Sequence, residues 1–222
     1  MRCTCGIALI LLSAGLLYAQ DAKTAGLASC EAQDGFVSLF DGKTLDGWQG
    51  DVAHYVVKGG VMTCHGGKLY TIKEYANFLL RFEFKLSPGG NNGVGIRSPL
   101  VGEPTWNGME IQILDDGHKM YKGWLQPYQV HGSIYGVVPA KRGFLKPTGQ
   151  WNCEEILADG GHIKVTLNGT VITDADISKI SKSIDHHEHP GLHNPRGYIS
   201  WLGHGNPPDP VEFRNVRIKE LP

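Results

Sequence analysis

A sandwich of two packed antiparallel β-sheets, of the jelly-roll kind, is the fold this sequence predicts. Three observations predict it. The chain carries 30 Gly and 12 Pro in 222 residues, a density that breaks helices, because glycine supplies positive φ and proline removes a backbone donor. From residue 35 onward the apolar residues recur with period two, in short runs separated by turn residues. No amphipathic helical stretch intervenes between the runs, and no internal repeat of propeller or solenoid length is present. With 41% hydrophobic and 19% charged residues, the chain fills one core and is short for two domains.

The N-terminal residues stand apart from that domain. Arg2 precedes an apolar stretch at residues 7–17, too short to span a bilayer, and Leu17-Tyr18-Ala19 then ends on a small residue. This reads as an export signal over residues 1–19, then a linker at 20–34 and one domain at 35–222, in a periplasmic or extracellular protein without a membrane span. Cys3 and Cys5 leave with the signal, and Cys30, Cys64 and Cys153 remain. Of these, Cys64 and Cys153 are the pair inside the domain, where an exported protein can form a disulfide. Leu27-Ala28-Ser29-Cys30 also fits a lipobox with an acylated Cys30, but Asp21 and Lys23 separate it from the apolar stretch, so Cys30 reads first as a linker cysteine. Lys plus Arg is 21 and Asp plus Glu 22, a net charge of -1. So balanced a chain has no long-range field for nucleic acid or anionic lipid.

Strands follow in order through the domain. Residues 55–57 and 61–64 are the first apolar runs. Residues 78–86 alternate most strictly, with Phe78, Leu80, Phe82, Phe84 and Leu86 on one face and Arg81, Glu83 and Lys85 on the other. Runs at 94–97, 109–114, 133–138 and 154–158 come next. Ile163, Val165 and Leu167 then alternate inward, Asn168-Gly169 supplies a type I′ turn, and Val171 and Ile172 begin the return strand. Residues 173–195 lack strand character and hold His186, His187, His189 and His193; they read as a polar surface excursion, since the histidines lack cysteines or a regular element to fix zinc geometry. Residues 198–202 and 211–221 close the domain. In the last run Val211 and Phe213 are out of phase with Val216 and Ile218, which predicts a bulge near Arg214-Asn215.

One strand carries chemistry. In Gly108-Met109-Glu110-Ile111-Gln112-Ile113-Leu114-Asp115-Asp116 the apolar residues Met109, Ile111 and Ile113 point to the core, so Glu110 and Gln112 point out of the opposite face. A bulge at Leu114 would bring Asp115 to that face as well. In the run at 94–97, Val94 and Ile96 face the core while Gly93, Gly95 and Arg97 face outward. The glycines then leave room for a ligand and Arg97 sits beside Glu110.

The opening block Gly35-Phe36-Val37-Ser38-Leu39-Phe40-Asp41-Gly42-Lys43-Thr44-Leu45-Asp46-Gly47-Trp48 resembles the signature of the 3-keto-disaccharide hydrolase family, abundant among exported bacterial proteins. The resemblance continues in order through Asn91-Asn92-Gly93-Val94-Gly95-Ile96-Arg97, Glu110-Ile111-Gln112-Ile113-Leu114-Asp115, Gly132-Ser133-Ile134-Tyr135-Gly136, Gln150-Trp151-Asn152, Leu167-Asn168-Gly169, Gly203-His204-Gly205 and the block at 211–218. It implies a concanavalin A-like jelly roll, distantly related to the laminarinases and lichenases, whose catalytic strand reads Glu-x-Asp-x-x-Glu. Here the same spacing reads Glu110-x-Gln112-x-x-Asp115, with an amide at the centre and a shortened final acid. A retaining glycosidase needs two carboxyl groups about 5–5.5 Å apart, so the departure puts ordinary retaining hydrolysis in doubt.

The resemblance implies instead a reaction on sugars oxidised at C3, where the ketone acidifies the C2 proton and the C1 substituent leaves by elimination, with later hydration. That chemistry needs a base, a group to polarise the ketone and an acid for the leaving group. By position Glu110 is the base or a metal ligand, Asp115 its support, and His204 the acid or a second ligand. Arg97 and Gln112 are expected to hold substrate oxygens, with His131 and Tyr135 as further contacts and Trp106 as a stacking platform for a sugar face. Trp48 and Trp151 read as core. A divalent cation on Glu110 and His204 would polarise a ketone, though no ligand spacing demonstrates one. Two competing classes share the fold, a lectin-like carbohydrate-binding module and a conventional β-glucan hydrolase.

Overall fold

A computed structural model describes residues 29–204 and 210–222. The expected export signal and the residues of the lipobox reading before Ser29 lie outside the described residues, as do Gly205 and the side chain of Cys30. Thirteen strands run, in chain order, β1 (Val37–Ser38), β2 (Trp48–Gly50), β3 (Tyr55–Lys58), β4 (Val61–Cys64), β5 (Gly67–Tyr75), β6 (Phe78–Lys85), β7 (Asn91–Ser98), β8 (Met109–Leu114), β9 (Trp151–Asp159), β10 (His162–Leu167), β11 (Thr170–Asp176), β12 (Gly197–Gly203) and β13 (Val211–Glu220). Among the described residues two short helices accompany them, α1 (Ser29–Gln33) and α2 (Pro104–Asn107). Neither is long and apolar enough to cross a membrane.

The strands form the expected sandwich. One sheet runs β11-β10-β9-β6-β13-β4-β3, with β1 also on β13, and the other runs β2-β5-β12-β7-β8. Period-two alternation lays the inner faces against each other. Phe78, Leu80, Phe82 and Phe84 of β6 are buried, as are Val94 and Ile96 of β7 and Met109, Ile111 and Ile113 of β8. At the centre Trp201 of β12 stacks on Phe213 of β13 at 4.3 Å and meets Phe82 edge-on at 5.1 Å, tying sheet to sheet. Asn168 and Gly169 carry φ of 49° and 86°, the two positive values of the predicted turn. The β13 register shifts between Arg214 and Arg217, with Asn215 at φ 52°, so the predicted bulge restores the apolar phase.

Four expectations are corrected. Residues 133–138 do not form a strand of their own; Ile134 makes single bridges to Ile111 and Val138, and the segment is otherwise turn. Its backbone still closes the edge of β8, because Gly132 and Tyr135 donate to the carbonyls of Gln112 and Glu110, and Ser133 accepts from the Gln112 N–H. Residues 29–33, expected as linker, are helical, and Glu31 pairs with Arg81 and Arg217 on the outer face of the eight-stranded sheet. Cys64 and Cys153 are both free thiols. β13 and β6 lie between their strands, a separation of about 14 Å, beyond the reach of a disulfide. Trp151 lies on the outer face, where Arg214 stacks on its ring at 4.0 Å, whereas Trp48 is buried as expected.

Arg97 is the fifth correction, and it removes a residue from the expected site. Its backbone adopts φ 51°, which turns the chain out of the alternation that would have pointed the side chain along the face of Glu110. The buried guanidinium instead donates to the carbonyls of Ala76 and Gly160 at 2.8 Å each and to Asn77 Oδ1 at 3.2 Å. It fastens two turns of the sandwich. Truncation to Ala strands two carbonyls away from water, so Arg97→Ala is expected to cost about 3 kcal/mol of stability, read as a lower denaturant midpoint. Turnover per folded molecule is expected to stay unchanged.

Candidate active site

The outer face of the five-stranded sheet carries a pocket of about 420 Å³, and β8 forms its floor. Glu110, Gln112 and Leu114 all line it, which is the uninterrupted alternation of one strand. No bulge forms at Leu114, so Asp115 continues in the opposite phase and is absent from the pocket. Its Oδ2 accepts the N–H of Gly89 at 2.9 Å and its own N–H donates to Gly90 O, so it holds the turn before β7 instead of supporting Glu110. The second carboxylate expected from the Glu-x-Gln-x-x-Asp spacing is therefore not at the site.

Glu110 is buried, with its carboxylate held from two sides. Thr105 Oγ1 of α2 donates to Oε2 at 2.6 Å. The amide orientation of Gln112 that satisfies its surroundings turns its nitrogen toward Asn92 O at 3.0 Å and Glu110 Oε1 at 3.3 Å. The carboxylate leans across β7 over Gly93, where a Cβ would lie 2.0 Å from Oε1. The space the sequence pattern suggested for a ligand above Gly93 is thus taken by the acid itself. Above Gly95 it is taken by Ser200, whose Oγ would stand 2.2 Å from a Cβ.

His204, which follows β12, faces this carboxylate across the pocket, with Nε2 at 3.9 Å from Glu110 Oε1. Its side chain is 46% exposed while that of Glu110 is 2% exposed. Glu110, by hydrogen bonding and charge, holds the imidazole pKa above its ordinary value against the opposing effect of desolvation. On the other side, Tyr135 lines the pocket from the segment that closes the edge of β8. Its hydroxyl accepts from Gln129 Nε2 at 2.8 Å, which leaves the phenolic proton to donate into the pocket. Burial raises its pKa, so it stays protonated.

Trp106 lines the pocket from α2, as expected for a platform. His131 does not reach it. It is buried behind β8, where Nε2 lies 3.0 Å from Glu154 Oε2 and the ring packs on Phe84 at 5.0 Å, so it is a core residue and not a substrate contact. The segment at 173–195, expected as a surface excursion without strand character, is corrected as well: residues 173–176 complete β11, Asp185 and His189 form a buried pair at 3.0 Å, and Gly191 N donates to Trp106 O. It backs the wall that holds Trp106. A larger and more open depression, about 610 Å³, lies over His186, His187, His189 and His193, away from the sheet.

Sequence reasoning missed Thr105, Glu103, Tyr121, Trp124, Leu125 and Gln129, all on the pocket wall. Each sits on α2 or in the loop at 117–129, where no periodicity marks a side chain's direction. An exposed tryptophan in a polar loop is the one signal that singles out Trp124. As a cation site the pocket falls short: Glu110 and His204 offer two donors, and among the described residues no three His, Cys, Asp or Glu side chains converge. The described residues of the pocket do not fit a protein-held metal.

Residues 35–219 match the profile of the 3-keto-alpha-glucoside-1,2-lyase-like domain. A 3-keto-disaccharide hydrolase of Bacteroides thetaiotaomicron is 26% identical, over 92% of this chain and 86% of that one. A crystal structure from Parabacteroides distasonis, provisionally designated a glycosyl hydrolase, is 30% identical over 84% of this chain and 99% of the other, with a TM-score of 0.75. A likeness in fold alone is to the carbohydrate-binding module CBM66 of Bacillus subtilis, at 12% identity and a TM-score of 0.50, over 78% of this chain and 96% of the module.

Proposed function

The chain belongs to the 3-keto-alpha-glucoside-1,2-lyase-like family, and from that premise we propose that it is an exported enzyme cleaving the glycosidic bond of 3-keto-glycosides by elimination across C1–C2, followed by hydration. The observation that carries this reading is a buried carboxylate, Glu110, facing His204 across a pocket whose floor, among the described residues, holds no second free carboxylate. Glu103, the other acid on the wall, is engaged by Lys68. Double-displacement hydrolysis needs a nucleophile and a separate acid, whereas elimination needs one carboxylate acting as base.

In this mechanism Glu110 removes the C2 proton and the electron pair moves to the C3 oxygen as an enolate. Tyr135 donates to that oxygen as charge develops. Collapse of the enolate restores the ketone, forms the C1–C2 double bond and breaks the bond from C1 to the leaving oxygen, which takes a proton from the His204 imidazolium. Water then adds its hydroxyl at C1 and its hydrogen at C2, giving net hydrolysis. Gln112 and Thr105 hold Glu110 in place and keep its proton-accepting oxygen toward the pocket.

The test is aglycone release by residues 20–222 from a 3-keto-glucoside and from its unoxidised parent. Release is expected from the keto sugar alone. Equal release from the parent would instead indicate a conventional glycosidase, and release from neither, with measurable glycan binding, a binding module. The protonated imidazole is lost as pH rises through its raised pKa, so kcat is expected to fall on the alkaline side at a pH above that of an ordinary histidine. His204→Gln is expected to flatten that limb. A limb unmoved by the substitution would assign the acid elsewhere.

A further inference from the structure

We infer that the far end of the pocket is built for a flat, apolar leaving group and not for a second sugar; this rests on the reading above. Leu114 follows Glu110 by four residues on β8, so the two ends of the floor are roughly 13 Å apart, far enough to seat one ring over Glu110 and a leaving group beyond it. The far wall consists of Leu114, Tyr121, Trp124, Leu125 and Gln129, with Asn91 of β7 opposite Leu114.

Apart from the Asn91 amide, its polar atoms are already engaged within the protein. Tyr121 Oη donates to Gly89 O at 2.8 Å, and Trp124 Nε1 donates to Met120 O at 2.7 Å. Gln129 accepts the Gln126 N–H at 2.9 Å through Oε1 and donates to Tyr135 through its nitrogen. What remains toward the pocket is two aliphatic side chains, two ring faces and the single amide of Asn91, with Trp124 itself 53% exposed. A sugar seated there would bury hydroxyl groups with few partners, whereas an aromatic ring stacks on Trp124 and displaces water from leucine surface. Most of the groups free to bind hydroxyls cluster at the Glu110 end, which suits the keto sugar.

The experiment compares 3-keto-glucosides carrying methyl, benzyl and glucosyl leaving groups. Methanol and benzyl alcohol are closely similar as leaving groups, so their difference reads the wall and not the chemistry. The benzyl glycoside is expected to show kcat/KM at least about tenfold above the methyl and glucosyl substrates. Trp124→Ala is expected to remove that advantage by slowing the benzyl substrate about tenfold more than the methyl substrate, and Trp124→Phe to restore most of it. A glucosyl preference over benzyl, equal rates for benzyl and methyl, or an equal loss on all three substrates in Trp124→Ala would overturn the inference while the elimination reading stands. No release from any of the three substrates would overturn the elimination reading, and this inference with it.

Discussion

Glu110→Gln is expected to lower kcat on a 3-keto-glucoside by about 10³-fold, within the range that a positioned general base contributes. The substitution keeps the side chain's shape. Its oxygen can still accept from Thr105, which stands 2.6 Å from Oε2, so the fold and the substrate pocket persist. What is lost is the ability to take the C2 proton. A second readout accompanies the rate. The carboxylate that holds the His204 imidazole above its ordinary pKa is gone, so the histidine is expected to titrate at lower pH, and the resonance of its ring protons follows that shift directly. A variant that keeps activity within about tenfold of the parent is incompatible with Glu110 as the base. A lost rate with an unmoved His204 titration would mean that the two side chains do not face each other in solution.

The second large effect is at a residue with no side chain. Gly93→Ala places a methyl group 2.0 Å from Glu110 Oε1 and 2.7 Å from its Cδ and Cγ, contacts that real Cβ atoms do not make. The carboxylate has to move, and it is buried with few places to go. A misplacement of about 1 Å in a catalytic group costs on the order of 10²-fold, and the same loss in kcat is expected here, with about 1–3 kcal/mol of stability from overpacking. The cycle with Glu110→Asp isolates the cause. Aspartate is one methylene shorter and relieves the clash, so the Gly93→Ala/Glu110→Asp double variant is expected to be no slower than Glu110→Asp alone. Additive losses would mean that Gly93 acts through the sheet backbone and not through the acid.

Much of the fold was legible because it follows from local rules. Phe78 to Leu86 in strict alternation dictates a half-buried strand whatever surrounds it. Asn168 and Gly169 tolerate positive φ that most residues do not, and the phase break between Phe213 and Val216 requires a bulge. Glu110 and Gln112 were legible for the same reason, since Met109, Ile111 and Ile113 leave them only the opposite face. Asp115 and Arg97 were misread where a local deviation was assumed in the wrong place: β8 runs on without a bulge, and β7 turns to φ 51° at the residue assumed to be regular. His131 was misread because a polar residue in a turn looks exposed, whereas its partner Glu154 lies 23 positions away in sequence and meets it only in the folded core.

By itself, then, the sequence determined a β-sandwich, the direction of the Glu110 strand and the kinship with enzymes acting on 3-keto sugars, because side-chain period, turn chemistry and motif order are properties of neighbouring residues. Only the tertiary structure decided which groups meet the carboxylate. Thr105, Tyr135 and His204 come from α2, an edge-closing loop and the end of β12, and Trp124 from a loop with no period at all. Their convergence depends on long-range packing of loops over a rigid sheet, and no pattern of nearby residues encodes it.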